Sequence, residues 1–500
     1  MLNHSPNNGG SNNSELTSSS KQKPEPININ YLELFKNVKN FLYNEDIFKD
    51  SDENIIKQGC AQHYIKLERK GFSHFPDFIL YSKSLKTELD VLILSHNEIR
   101  AIPPDIIQLE ALKILDLSHN HHIKNFTYEL MNLKNLIGLD LSYNIIERIP
   151  DAFFEKMKTK IMVLNLANNN IHSISNGNWA DFAKKLIDLN LSDNKIVHIP
   201  DSLCECYNLT SLNLSANFIH HLPYDFYKLR KLKYLHLNRN RLSDLPMIEY
   251  ENGDFSIFYD MELLENLDIS HNSLSEEYLN GLGTLPNLKK YSFSHNNIVT
   301  LTQSFGISHS CKYLQTVHLS SNLLDELPTI LADNLGNTLK ELDICNNNIS
   351  NLGDNFHKFV VLERLLMNRN FLTELPESIG SLVNLVELKA SKNEIEKVSH
   401  LCFNENMKKL KEVDLDCNFI KELPSSIFLL PELITLRIEK NQLQSIPDTI
   451  VNSPNLYGIY AAYNELKELP ENIGLCKCLR KIHVGKYSSF YYKYSLLKRV

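Results

Sequence analysis

The sequence lacks long apolar runs, a secretory signal and a regularly spaced, even set of cysteines. No stretch of the 500 residues approaches the ~18 consecutive apolar residues of a membrane-spanning helix. The first twenty residues, MLNHSPNNGGSNNSELTSSS, contain no apolar core of a signal peptide. The nine cysteines are scattered, which is not typical of a disulfide framework. We therefore expect a protein of the cytoplasm, with the nucleus as the alternative, whose thiols are reduced.

Motifs of the common enzyme classes are also absent. The chain has no P-loop, no G-x-S-x-G, no H-E-x-x-H and no kinase signature. A net charge of -8 gives no overall attraction to nucleic acid, so we expect no nucleic-acid partner. From these absences we predict a protein that is not an enzyme, binds no cofactor and no metal, and does not insert into membranes.

One pattern, L-x-x-L-x-L-x-x-N-x-L-x-x-L-P, fills most of the chain, for example as LKELDICNNNISNL. Successive copies lie 23 to 26 residues apart, except for one interval of 32 residues. Lys70 and Tyr487 replace the asparagine in two degenerate copies at the ends, so the array covers residues 61–487 with about 18 repeats. The pattern asparagines are Asn97, Asn120, Asn144, Asn169, Asn194, Asn217, Asn240, Asn272, Asn296, Asn322, Asn347, Asn370, Asn393, Asn418, Asn441 and Asn464.

The spacing of the leucines predicts an α/β solenoid. The L-x-L leucines alternate with period 2, so they face one side of a short strand. Stacked repeats pair these strands into a parallel sheet, and the remaining residues of each repeat form the crossover that covers the buried face. We expect a curved horseshoe with the sheet on its concave face and short helices, 3-10 turns and loops on its convex face. Proline after the strand, as at Pro223 and Pro376, turns the chain into the crossover.

The asparagine of the pattern falls where the strand ends and the chain bends inward. A buried amide at that point can donate to and accept from neighbouring backbone groups that would otherwise lack partners. We therefore predict a structural ladder of asparagines along the array.

With this pattern the chain resembles the leucine-rich-repeat superfamily. The short repeat with L-P after the strand is similar to that of the intracellular, Ras-associated (SHOC-2-like) group. The resemblance implies the solenoid fold and a role as a scaffold or adaptor in signal transduction. It further implies partners such as a Ras-type small GTPase, the catalytic subunit of a Ser/Thr phosphatase, or both.

The segments outside the regular repeats have different compositions. Residues 1–30 are rich in Asn, Ser and Pro, which predicts a disordered tail. Leu34, Val38 and Phe41 recur at helical spacing, which predicts a helical cap over the first repeat at residues 31–60. Residues 488–500 are a tail or a partial cap. The long interval carries an acidic and aromatic insertion near residues 246–262, interpreted as a tolerated loop, with a second partner contact as the alternative.

Partner-binding residues are predicted by counting back from each asparagine, taken as position n. Positions n−5 and n−3 point into the core, and n−6, n−4, n−2 and n−1 point out on the concave face. This face is bland in the first half but rich in Arg, Lys and Tyr later, residue types common at interface hot spots. The candidates are Tyr234, His236, Arg239, Arg364, Arg369, Lys389, Lys392, Arg437, Lys440, Tyr460 and Tyr463, interleaved with Glu387, Glu412, Asp414, Asp416 and Glu439. The alternative is a solvated face of mixed charge that binds nothing in particular.

A group of histidines and two Cys-x-Cys pairs are weaker signals, and neither is interpreted as a functional site. His96 and His119 are expected about 5 Å apart, near His121 and His122, but no carboxylate or thiolate completes a metal site. The Cys-x-Cys pairs Cys204/Cys206 and Cys476/Cys478 lie within ordinary crossovers, so we interpret them as structural.

The sequence leaves three hypotheses for the function of the protein. The first is a non-catalytic protein-binding scaffold that binds partners on the concave face. The second is the recognition part of a larger enzyme, such as a phosphatase, a cyclase or a ubiquitin ligase, whose catalytic domain is not in this chain. The third, an extracellular receptor ectodomain, is disfavoured because a signal peptide and disulfide-bonded caps are not found.

Overall fold

The computed structural model describes residues 63–485, apart from residues 157–160, 177–178, 180–183, 251–252, 280–284, 302–310 and 328. The predicted tail at residues 1–30, the predicted cap at 31–60 and the segment 488–500 lie outside the described residues. Tyr487 of the last degenerate repeat lies outside them as well.

Eighteen strands form one open parallel sheet, in which each repeat contributes one strand that pairs with the strands of the repeats before and after it. This arrangement confirms the predicted solenoid. The strands of this sheet are β1 (His63–Lys66), β2 (Leu89–Ile93), β3 (Ile114–Asp116), β4 (Gly138–Asp140), β5 (Val163–Asn165), β6 (Asp188–Asn190), β7 (Ser211–Asn213), β8 (Tyr234–His236), β11 (Asn266–Asp268), β12 (Lys290–Ser292), β13 (Thr316–His318), β14 (Glu341–Asp343), β15 (Arg364–Leu366), β16 (Glu387–Lys389), β17 (Glu412–Asp414), β18 (Thr435–Arg437), β19 (Gly458–Tyr460) and β20 (Lys481–His483).

The strands are stacked in register, so that each repeat position lies beside the same position in the next repeat. Leu342 pairs with Leu365, and Leu365 pairs with Leu388, all three at position n−5. These leucines have no exposed surface, and neither do the residues at n−3, such as Met367. The inward-facing residues therefore form one continuous core, which is the outcome that the period-2 pattern predicts.

Short helices on the other face return the chain to the next strand. Proline precedes most of the 3-10 helices with an extended backbone, as Pro223 does at φ −62° and ψ 148°. Phe226 and Leu229 of that crossover are fully buried and complete the core. The α-helices are Asp77–Tyr81, Lys83–Glu88, Tyr128–Met131, Asp151–Lys156 and Thr329–Leu335, and the 3-10 helices are Pro104–Gln108, Asp201–Glu205, Tyr224–Lys228, Glu276–Leu279, Asn355–Lys358, Glu377–Ser381, His400–Cys402, Ser425–Leu429, Asp448–Asn452 and Glu471–Leu475.

Each pattern asparagine joins its own repeat to the preceding one through hydrogen bonds to backbone groups. The amide nitrogen of Asn347 donates to the carbonyls of Ile344 and Cys345 in its own repeat, at 3.0 and 3.2 Å. It also donates to Leu319 of the preceding repeat at 3.0 Å, and its oxygen accepts the Leu324 N–H at 3.1 Å. Equivalent bonds recur along the array, so the rungs of the ladder are side chain to backbone contacts.

One rung is incomplete, and the cause is visible in the sequence. The side-chain oxygen of Asn144 is buried and has no hydrogen-bond partner within the described residues. In the preceding repeat an extra residue separates Asn120 from the buried Ile123, and His121 adopts a left-handed backbone with φ 57°. Because of this insertion, the N–H that other repeats offer to the amide oxygen is not presented to Asn144.

The residue before each asparagine has a left-handed backbone, a feature that the repeat pattern did not predict. Its φ lies between 52° and 58° in every repeat from Arg69 to Tyr463. The backbone N–H of these residues still donates to the next repeat, as that of Arg369 does to the Ser391 carbonyl at 2.8 Å. Position n−1 therefore belongs to a tight turn that follows the strand and not to the strand itself.

The insertion near residues 246–262 contains a hairpin of its own. Strands β9 (Met247–Tyr250) and β10 (Gly253–Ser256) pair antiparallel, with Tyr250 opposite Gly253. The hairpin is separate from the parallel sheet, and the chain that follows it places Phe258 and Met261 in the core. The described residues of the insertion therefore form a hairpin, which the Asn-Gly pair at 252–253 could have indicated.

Replacing Asn347 with leucine should lower the free energy of unfolding by about 1–3 kcal/mol, because the buried carbonyls and the Leu324 N–H lose their partner. Thermal and denaturant unfolding, followed by circular dichroism, measure this change. Asn348→Leu is the matched control, since Asn348 is exposed and adjacent in sequence. Equal stability of the two variants would contradict the structural role of the ladder.

Candidate protein-binding surface

The outward side of the sheet, made of positions n−6, n−4 and n−2, is called here the sheet face. Its two halves differ in burial. All three residues of each of the strands β4, β5 and β6 are buried. In strands β13 to β18 only the central residue is buried, while both flanking side chains are partly exposed. The later half is therefore the part of the sheet whose side chains are accessible to a partner.

A chain of ion pairs crosses four strands of this later half, β14 to β17. Arg364 on β15 contacts Glu341 of the preceding strand at 3.1 Å and Glu387 of the following strand at 2.7 Å. Lys389 pairs with Glu387 of its own strand and approaches Glu412 at 3.9 Å. Burial acts to raise the pKa of Glu387, but hydrogen bonds from Lys389 and Arg364 outweigh it and hold the pKa below its usual value.

His318 extends this chain at one end. Its Nε2 lies 3.0 Å from the Glu341 carboxylate, so the network reaches strand β13. The sequence interpretation missed His318 and Glu341, although counting back from Asn322 and Asn347 assigns them to n−4 and n−6. The same count that found Arg364 would have identified both.

A second group of side chains continues the face toward strand β20. The Arg437 guanidinium lies 3.0 Å from Asp416 and 5.0 Å from the centre of the Tyr460 ring. Burial raises the pKa of Asp416 to about 6, although its bond with the Glu439 N–H and the charge of Arg437 act in the opposite direction. The His483 ring nitrogen lies 2.6 Å from Glu439, a partner that the sequence interpretation also missed.

Five of the predicted candidates fall in the turn row, defined as the n−1 residues with left-handed backbones. The candidates in this row are Arg239, Arg369, Lys392, Lys440 and Tyr463. All five are exposed, and the Lys440 ammonium lies 5.8 Å from the centre of the Tyr463 ring. Among the described residues no ion pair involves Arg369 or Lys392, whereas Arg364 and Lys389 are both paired. The turn row therefore supplies the positive charge that is open to a partner.

Together with Arg239 of the turn that follows them, Tyr234 and His236 lie apart from the other candidates. Both belong to strand β8, five strand spacings from β15, which is roughly 24 Å along the sheet. His236 is partly buried, and burial lowers the pKa of its imidazole despite the nearby Asp268 carboxylate. The structure thus divides the eleven candidates into a β8 group and a larger group on strands β15 to β19 and their turns.

The histidines of the first repeats form a stack. The rings of His96 and His119 lie 4.0 Å apart, and the ring of Tyr143 continues the stack at 3.8 Å from His119. Burial, followed by repulsion from neighbouring cations, lowers the pKa of His119 to about 4. Across residues 63–485, in the parts that the structure describes, no three His, Cys, Asp or Glu side chains are grouped so that they could hold a metal ion.

The cysteines of the first Cys-x-Cys pair are part of the hydrophobic core. Cys204 and Cys206 are fully buried, and burial raises the pKa of each thiol to about 12. Thiols with such a high pKa are poor nucleophiles at neutral pH. The eight cysteines in the described part of the chain carry free thiols.

Two carboxylates lie side by side on the first half of the sheet face. Asp116 and Asp140 occupy n−4 of neighbouring strands and are in register. Asp140 accepts hydrogen bonds from the Ser142 hydroxyl at 2.7 Å and from the Asn165 amide at 2.7 Å. Burial, and secondly the negative charge of Asp116, raise the pKa of Asp140 to about 7, and burial also raises the pKa of Asp116.

No helix among the described residues is long and apolar enough to cross a membrane. The later sheet face and the turn row present arginine, lysine, tyrosine and carboxylate groups over a continuous surface. Such groups recognise other proteins through ion pairs, hydrogen bonds and ring contacts.

Comparison with known proteins places this fold. The leucine-rich-repeat family model matches residues 87–146, 184–242 and 408–466. A leucine-rich-repeat protein of Leptospira interrogans superimposes with a TM-score of 0.71 at 24% identity, covering 83% of this chain and 100% of that one. The chain therefore folds as a leucine-rich-repeat solenoid, the architecture that its pattern predicts.

The sequence relatives align with only part of this chain, and this chain covers only part of each of them. Fibromodulin of Oryctolagus cuniculus is 35% identical over 91 residues, which are 18% of this chain and 58% of that protein. An adenylate cyclase of Podospora anserina is 29% identical over 131 residues, 26% of this chain and 6% of the enzyme. This chain spans about a third to three fifths of the length of the first relatives it matches. The intracellular subgroup suggested by the sequence is not distinguished by these matches.

Replacing Asp140 with asparagine should stabilise the protein above pH 7. Because the folded state raises the pKa of Asp140 from about 4 to about 7, the folded protein binds the proton more tightly than the unfolded chain. The wild-type free energy of unfolding should therefore fall as the pH rises from about 4 to about 7. The substitution removes this loss, which we expect to be on the order of 1–3 kcal/mol at pH 8.

Melting temperatures measured between pH 4 and pH 8 test this expectation. Asparagine occupies the same position at Asn190 and Asn213, where it accepts the equivalent hydrogen bond from the hydroxyl of Ser192 or Ser215, so the change is compatible with the fold. Asp343→Asn, at the equivalent and partly exposed position of a later repeat, is the control. A pH profile that Asp140→Asn leaves unchanged would show that Asp140 does not titrate differently in the folded state.

Proposed function

We propose that this leucine-rich-repeat solenoid is a non-catalytic scaffold that binds a protein partner on the sheet face of strands β13 to β19 and on the adjoining turn row. The observation that carries the proposal is the paired, half-exposed charge network of Arg364, Glu387 and Lys389 beside Arg369 and Lys392, which form no ion pair with any described residue. The fold supports a protein partner, because stacked repeats offer an extended rigid surface suited to proteins.

The geometry favours binding without much rearrangement. Arg364 is held between two carboxylates, so its side chain is already ordered before a partner arrives. Ordered side chains lose less conformational entropy on association, which improves affinity for a given contact area. The exposed Arg369, Lys392 and Lys440 add positive charge at one rim of this surface, so the partner should present carboxylates there.

The cellular role is the second part of the proposal. We infer that the scaffold acts in the cytoplasm, in signal transduction, because the odd number and scattered positions of its nine cysteines favour a reducing compartment. The partners that we infer are a Ras-type small GTPase, a Ser/Thr phosphatase catalytic subunit, or both. The support for these partners is the likeness of the repeat, with its L-P after the strand, to that of Ras-associated scaffolds.

A second candidate function is the recognition array of a larger enzyme. The alignment with an adenylate cyclase, of which this chain covers 6%, favours it. In that case the same face would bind a regulatory protein, and the catalytic domain would lie in a longer form of the chain.

Charge reversal in the turn row should abolish partner binding without affecting folding. The variant is Arg369→Glu with Lys392→Glu, which removes two exposed cations that pair with no carboxylate in the described part of the chain. Arg364→Glu with Lys389→Glu is the companion variant, and it opposes the carboxylates of Glu341, Glu387 and Glu412. We expect at least about ten-fold less partner to be recovered with the turn-row pair, since each lost charge contact contributes roughly 1 kcal/mol or more.

Affinity purification from native cells with quantitative mass spectrometry measures this loss. Lys408→Glu with Lys409→Glu, exposed on a crossover, is the control of equal charge change. A GTPase or phosphatase recovered with wild type and control, but not with the turn-row pair, supports the proposal. Equal recovery with the wild type, the control and the turn-row pair would show that the partner binds elsewhere on the protein.

A further inference from the structure

The sheet face of the first repeats carries a hydrophobic cluster that is separate from the main core. Its members are Val91, Ile93, Ile114 and Val163, which are 0%, 7%, 4% and 6% exposed. They occupy n−6 or n−4 on strands β2, β3 and β5, the positions that Arg364 and Lys389 hold in later repeats. The fold therefore accepts charged residues at these positions and does not itself require apolar ones.

The shape of this cluster is a groove. Ile114, Gly138 and Val163 are in register on three adjacent strands, so the middle strand contributes no side chain between two branched ones. The apolar side chains packed against the cluster are Tyr64, Ile137 and Met162, and each lies on a strand or directly before one. The outward side of a sheet normally faces solvent, so apolar residues buried there favour a further layer lying over the sheet.

The sequence before β1 offers a segment that fits such a layer. Residues 31–43, YLELFKNVKNFLY, repeat apolar residues at helical spacing through Leu34, Val38 and Phe41. As a helix, this segment would be about 20 Å long and would carry Lys36 and Asn40 on the opposite side. The groove from β2 to β5 spans about 14 Å, so the two lengths match.

The connection between the segment and the groove is long enough. Nineteen residues, 44–62, separate position 43 from His63, the first residue of β1, and they can span up to roughly 65 Å. The groove begins on the strand that pairs with β1. Such a short tether gives a high effective concentration, on the order of millimolar, so even a weak contact would be occupied.

We propose that residues 31–43 bind as an amphipathic helix across the sheet face of β2 to β5 of their own chain, with Leu34, Val38 and Phe41 on the hydrophobic cluster. The helix lies on the sheet face and not over the open end of the core. It closes the first half of this face to other proteins and leaves the charged later half as the accessible one. This contact goes beyond the proposed function and does not depend on it.

Hydrogen exchange of the full-length protein, followed by mass spectrometry, tests the contact. Amides of residues 31–43 should exchange about ten-fold or more slowly than those of residues 10–20. Ile114→Lys with Val163→Glu should abolish this protection, and so should Leu34→Asp with Phe41→Asp. The first pair places charges where later repeats already carry them, and the second pair leaves the repeats untouched, so loss of folding does not obscure the result.

Two controls match these variants. Thr435→Glu makes the equivalent n−6 change on β18, and Lys36→Asp with Asn40→Asp alters the opposite side of the helix. Protection that survives in both controls but is lost in both test pairs supports the proposal. Protection that survives Ile114→Lys with Val163→Glu would place the segment elsewhere, for example over the end of the core, and would overturn it. Protection that rises with protein concentration would assign the groove to a second copy and would also overturn it.

Discussion

The hydrogen bonds of the pattern asparagine are the interaction on which the rest of the structure depends. One amide joins three carbonyls and one N–H drawn from two successive repeats, as Asn347 does. The asparagine side chain reaches these four groups only if the residue before it turns the chain through a left-handed backbone. That conformation costs free energy for any residue other than glycine, and β-branched residues tolerate it least. The turn row accordingly contains His, Tyr, Arg, Lys, Asp, Asn, Ser, Ala and Cys, but no Val, Ile or Thr.

The stacking in register has an electrostatic consequence for the sheet face. Equivalent positions of successive repeats lie ~4.8 Å apart, so a row of like charges would repel. Over three consecutive strands the sign at n−6 alternates, with Glu341, Arg364 and Glu387. Glu412 follows Glu387 in the same row, and Lys389 approaches its carboxylate. Each carboxylate thereby lies beside a cation, and the row becomes a set of ordered ion pairs. In the turn row no described carboxylate forms an ion pair with Arg369 or Lys392, which is why those two positions, more than Arg364, offer charge to a partner.

The sequence predicts most of the fold because the repeat period is itself the structural period. The strands, the core positions such as Leu365 and Met367, and the proline turns follow from counting along one repeat. The left-handed turn was not predicted, although the absence of β-branched residues before every asparagine could have revealed it. The incomplete rung at Asn144 and the hairpin at residues 247–256 both depart from the repeat period. Counting along one repeat therefore does not predict them.

The candidate site was predictable only as a list of positions. Which of those side chains are open to a partner depends on their neighbours across the strands, and a single repeat does not contain that information. For the same reason, the pattern of one repeat does not predict that the two halves of the sheet face differ in composition and burial. Later repeats show that Arg, Glu and Lys fold well at n−6 and n−4, so repeat formation alone cannot account for Val91, Ile114 and Val163 at those positions. Selection for apolar residues on an outward face requires something that covers them. A chain whose own preceding segment has a matching apolar stripe meets that requirement without a second molecule.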